Sequence, residues 1–127
     1  MRFMMIVKAD KDHEAGVPPN PELMAAIGKL SEEMATAGVL LDTGGLLPTS
    51  KGARVQVARG KLTVTDGPFS EAKELIGGYA ILKAKSKEEA IEMGKTFMKL
   101  HADSLGPEYE GQLEIRQLAD FGPESGA

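Results

Sequence analysis

The chain contains no cysteine. That excludes a disulfide framework and thiolate chemistry, and it leaves the compartment open. Basic residues do not outnumber acidic ones: 15 Lys and Arg stand against 19 Asp and Glu, a formal net charge of −4 with no block of like charge. Binding through nucleic-acid phosphates needs a basic stripe, so nucleic acid is not the expected partner. Aromatics number only six. The apolar run Phe3–Val7 is far too short for a signal peptide or a membrane span. There is no phosphate-binding glycine loop followed by Lys and Ser/Thr, no nucleophile elbow, and no histidine pair at helical spacing. His13 and His101 lie far apart, so no zinc or iron site is expected, and no cofactor. These absences leave a cytoplasmic protein without a membrane partner.

What is present fits one domain over 1–120 with a frayed tail at Phe121–Ala127. A chain this long hides roughly two-thirds of its unfolded surface, enough for a real core. Arg2–Ala9 is short and almost wholly apolar, a strand covered on both faces, with Phe3, Met5 and Val7 on one and Met4 and Ile6 on the other. Asp10–Asn20 is a polar loop, long enough to be a flap over a pocket. Its Asp10, Asp12, His13 and Glu14 could in principle hold a metal, but a solvated charged loop is the expected reading.

Asn20-Pro21 starts a helix, with Leu23, Ile27, Leu30, Met34 and Ala37 on one face and Gly38 as the stop. Val39–Leu47 reads as a strand broken at Gly44-Gly45, followed by a turn at Pro48–Gly52. Ala53–Ala58 and Lys61–Thr65 form a hairpin turning at Arg59-Gly60. Ser70–Leu75 is expected to form a short helical turn, and Gly78–Lys85 a further strand. Ser86 and Glu89 make a capping box for a helix running to about His101. Ala102–Gly111 is a loop, and Gln112–Leu118 alternates as an edge strand.

With the hairpin set aside, the order is β-α-β-β-α-β. This is the ferredoxin-like α+β plan, with both helices on one face of an antiparallel sheet and the first and third strands central. Met4, Ile6, Tyr79 and Ile81 then face away from the helices. An apolar patch of that kind marks an interface, so a two-fold homodimer packed sheet to sheet is expected.

The stretch Val64–Tyr79 is the centre of the arrangement. Asp66-Gly67-Pro68 ends a strand, because Pro68 lacks an N–H and Gly67 tolerates unusual φ. Phe69, Glu71, Lys73-Glu74 and Gly77-Gly78-Tyr79 follow. This long ordered pattern resembles the DGPF branch of the YCII-related domain family, and the likeness extends over nearly the whole chain. The resemblance implies a dimeric α+β barrel. It implies no particular reaction, and similar proteins are often associated with extracytoplasmic-function sigma factors. Related shorter members pair a His on the first helix with an Asp near the second strand. Asp42 matches that Asp, but Pro21–Ala37 holds no His, so the pair is not carried over.

Two readings of the corner stand side by side. In one, Asp66 caps a turn, Phe69 fills a hole and the glycines permit a bend. In the other, the corner walls a small-molecule pocket. Asp66 and Asp42 are then the candidate catalytic acids, and Phe69, Glu71, Lys73, Tyr79 and His101 the candidate ligand-binding groups. A carboxylate there could act as a general base if burial raised its pKa. His101, on the apolar face of its helix, is expected to be satisfied by a backbone carbonyl. Three functions follow: acid–base chemistry of the isomerase, decarboxylase or monooxygenase sort found on this fold, a regulatory partner of a sigma factor, or a structural dimer without ligand.

Overall fold

The computed structural model describes residues 1–71 and 75–119. β1 (Arg2–Lys8) has the expected alternation, with Phe3 and Met5 buried and Met4 and Ile6 only partly so. Its register sets the sheet. β5 (Ile76–Lys83) pairs with it antiparallel, Phe3 opposite Leu82, Met5 opposite Ala80 and Val7 opposite Gly78. β6 (Leu113–Gln117) pairs on the other side, and β2 (Leu40–Gly45) pairs with β5, giving the order β2-β5-β1-β6. The two apolar strands are therefore central, as the ferredoxin-like plan requires.

Before the first long helix comes α1 (Lys11–Glu14), a single turn inside the expected polar loop. It forms because Asp10 caps it, Oδ1 accepting from the His13 amide at 2.8 Å. α2 (Pro21–Thr36) is capped by Asn20, whose side chain accepts from the Leu23 amide. α3 (Lys87–Leu105) is capped by Ser86, whose Oγ accepts from the Glu89 amide, while the Glu89 carboxylate accepts from the Lys85 amide, one residue before the cap rather than at it as a full capping box would. α3 runs one turn beyond His101 and stops at Gly106, whose φ of 88° lies in the left-handed region. Ala90 of α3 joins Phe3, Met5, Leu82 and Ala84 in the core, with Met34 of α2 and Met93 packed against them. A Cβ on Gly94 would lie 3.0 Å from the Leu113 and Ile115 side chains, so α3 sits close over β6.

The opposite face carries Met4 across from Ile81 and Ile6 across from Tyr79. Glu114 beside them pairs with Lys8 at 3.3 Å and with Arg116 at 3.1 Å. The helices lie on the other side of the sheet, so this face has none.

Two boundaries differ from expectation. The irregularity in β2 falls between Leu40 and Asp42, not at the glycine pair. Gly44-Gly45 stay in register because the Tyr79 ring lies over Gly44, where a Cβ would come within 2.9 Å of it. β5 begins at Ile76 and runs through Gly77-Gly78, since Ile76 already pairs with Lys8. The expected turn over Ser70–Leu75 falls partly, and the tail at Phe121–Ala127 wholly, outside the described residues.

β3 (Ala53–Ala58) and β4 (Lys61–Asp66) form a separate two-stranded ribbon. Val55 lies opposite Val64 and Val57 opposite Leu62, and all four are at least 67% exposed. Arg59 and Gly60 both have positive φ, 52° and 78°, which matches a two-residue hairpin turn of the primed kind.

Candidate functional site

The sheet leaves a hollow where its strands lack side chains. Gly45 and Gly78 are register partners at the β2 end of the helix-covered face. With no side chain from either, the space between this part of the sheet and the helices is left unfilled. The result is a cavity of about 400 Å³ walled by Met24, Ile27, Met34, Met93 and Phe97. Its walls are mostly apolar and methionine-rich, a lining that adapts to differently shaped ligands. A second hollow of about 380 Å³ adjoins it, walled by Asp10, His13, Val17, Pro19 and Tyr109. Val7, Met24, Gly77 and His101 line both. The 10–20 segment thus forms a wall of the second hollow, as a flap would.

His101 stands where the two hollows meet and is 7% exposed. Its Nδ1 lies 3.0 Å from the Phe97 carbonyl oxygen. A carbonyl can only accept, so Nδ1 carries the proton, and in the neutral ring Nε2 is left as an acceptor. Phe97 packs tilted against the imidazole at 4.7 Å between centroids, and Tyr109 stacks on it at 5.7 Å. Burial, and then the Asp10 carboxylate, push the Tyr109 phenol above its ordinary pKa. His13 brings a buried Nε2 with no hydrogen-bond partner among the described residues. The second hollow is therefore the more polar of the two.

The Asp66 corner is organised differently. Asp66 is exposed at the end of β4, and the Gly67-Pro68 peptide is cis. Phe69 lies under the Arg54 guanidinium, 3.9 Å from its ring centroid. Glu71 takes a two-pronged contact from the same guanidinium at 3.3 and 3.1 Å. Hydrogen bonding by Arg54 holds the Glu71 carboxylate below its ordinary range, the opposite of the shift a general base near neutral pH needs. Lys73 lies outside the described residues. Asp42 is exposed, and its Oδ2 accepts from the Tyr79 phenol at 3.3 Å. The negative charge of Asp42, then burial and this hydrogen bond, raise the Tyr79 pKa.

Of the expected site residues, Tyr79 lines the first hollow and His101 lines both, whereas Asp42, Asp66, Phe69 and Glu71 line neither. Sequence reasoning missed the facing glycines Gly45 and Gly78, because their opposition depends on a register set across the sheet. It also missed Tyr109, which lay in a stretch read only as a loop. Among the described residues, no group of three or more His, Asp or Glu is placed to hold a metal ion, and no helix is long and apolar enough to cross a membrane.

Two comparisons bear on this arrangement. The YCII-related domain matches residues 1–97, which takes in the sheet except β6, and the Gly45–Gly78 floor of the first hollow. An uncharacterized protein of Rhizobium meliloti (strain 1021), R00369, is 27% identical over 101 residues, covering 80% of this chain and 77% of its own.

Proposed function

We propose, for a chain that belongs to the YCII-related domain family, that it binds a small, largely apolar molecule bearing one hydrogen-bonding head group. The body sits over the Gly45–Gly78 floor and the head meets His101. One observation carries this reading: the buried imidazole has one nitrogen fixed on Phe97 and stands where an apolar hollow meets a polar one. A proton donor on the ligand would find Nε2 as acceptor, so acid–base chemistry at that atom is within its reach.

The test uses anilinonaphthalene sulfonate, an apolar fluorescent probe, and Gly45→Leu. A Cβ at Gly45 meets nothing within 4 Å, so the larger side chain fills the hollow without backbone strain. Wild type is expected to bind the probe and the variant to lose most of the signal while keeping its melting transition. A probe at a hundred times its dissociation constant should stabilise wild type by about 2.7 kcal/mol. Equal binding by both proteins would remove the cavity from consideration.

The same proposal covers assembly. A second copy closes the helix-free face at Met4, Ile6, Tyr79 and Ile81, as an apolar face on a globular chain favours.

A further inference from the structure

The Asp66–Phe69 corner reaches the hollow without lining it. Thr49, in the single 3₁₀ turn Thr49–Lys51, lies between the two. Its hydroxyl accepts from the Phe69 amide at 3.0 Å and donates to Glu14 Oε2 at 2.5 Å. Those directions are forced, because an amide nitrogen only donates and a carboxylate only accepts. The Thr49 amide also donates to Glu14 Oε1 at 3.0 Å, so one residue holds both carboxylate oxygens. Behind it, the Gly67 amide donates to the Gly52 carbonyl, and a Cβ on Gly67 would sit 1.7 Å from the Thr49 carbonyl oxygen. Arg54 secures the far side of the corner through Phe69 and Glu71. Glu14 ends α1, next to His13, in the segment that walls the polar hollow.

We propose that Thr49 and Glu14 are positioning residues for the ligand site: with the Gly67–Phe69 corner as anchor, they clasp the 10–20 segment over the polar hollow. This rests on the cavity reading above. It gives the corner a role that neither a simple turn nor a pocket wall supplies. The clasp is local and polar, with one charged acceptor, so it can open without loss of the core. The hydrogen bonds of Thr49 to Glu14 lower that carboxylate's pKa, which agrees with a bound, ionised form.

Two readouts test it, hydrogen exchange of the Gly16 and Val17 amides and release of anilinonaphthalene sulfonate followed by stopped flow. Both amides donate within the clasped segment, to His13 and Asp12 carbonyls. Thr49→Val, which keeps shape and loses the hydroxyl, is expected to speed both by about ten-fold. Thr49→Ser should restore both rates, which a purely steric role would not require. Glu14→Ala provides the same release without touching Phe69, should Thr49→Val fail to fold. Wild-type exchange and release rates in Thr49→Val or Glu14→Ala overturn the clasp and leave the cavity intact. Faster exchange with unchanged probe release also overturns it, since the segment would then not control the site. Probe binding that survives Gly45→Leu sinks the cavity reading instead, and the clasp as a device of that site with it.

Discussion

A methyl group on Gly67 would overlap the Thr49 carbonyl oxygen outright, and backbone cannot move aside as a side-chain tip can. Gly67→Ala is therefore expected to cost about 1–3 kcal/mol by urea titration and to reproduce the faster Gly16 and Val17 exchange of Thr49→Val. A cost with no change at those amides would disconnect the corner from the flap. On the other face, Gly44 gives the Tyr79 ring room to lie across β2 and reach Asp42. The carboxylate raises the phenol's pKa because a phenolate beside it would repel it. Asp42→Asn removes that repulsion, so Tyr79 should titrate at lower pH, nearer an ordinary tyrosine, by phenolate absorbance. An unmoved curve, with Tyr109 as the internal reference, would show that Asp42 has no hold on it.

Among the elements, the helices have the plainest local causes. Ser86 supplies an acceptor for an otherwise orphaned amide at the start of α3, and Ser86→Ala should lower stability by about 1 kcal/mol in chemical denaturation. No loss would mean that packing of Ala90 and Gly94 alone sets where α3 begins. The hairpin is the weakest element. An isolated two-stranded ribbon is marginal in water, and its four apolar side chains are exposed. Arg59 is also held at positive φ, where Gly or Asn fits better. Arg59→Gly should slow exchange of β3 and β4 amides with little change in the global melt. Slower exchange across the central strands as well would show that the ribbon is coupled to the core. The cap residues and the two-residue turn were readable in sequence because each is specified within a few positions. The bulge at Leu41 and the start of β5 at Ile76 were not, because they depend on where a distant strand lies.

For the whole molecule, the decisive surface is the helix-free face. Burying one aliphatic side chain is worth roughly 1.5–3 kcal/mol at most, and partial exposure of Met4, Ile6 and Ile81 reduces what remains to be gained. Several such residues from each of two copies would still add up to the interface proposed above. Ile6→Lys places a charge opposite Tyr79, in the middle of that face, and should leave a folded monomer in sedimentation equilibrium where wild type is expected to sediment as a dimer. Wild type monomeric at micromolar concentration, or a variant still dimeric, would locate the contact elsewhere. The exposed ribbon face of Val55, Val57, Leu62 and Val64 is then the first alternative.

The order of elements, the two-faced central strands and both helix caps followed from the sequence alone, because alternation, helical spacing and capping act over a few residues. That His101 would settle on a backbone carbonyl was also visible there, since its own helix supplies the Phe97 acceptor. The site was decided by tertiary structure. Charge and glycine gathered at the Asp66 corner drew attention to it, yet Arg54, from β3, takes up Phe69 and Glu71. The hollow instead opens where Gly45 meets Gly78 across a strand pair, more than thirty residues apart in the chain. A cavity is a shortage of atoms shared by several elements, and only their assembly determines where that shortage falls.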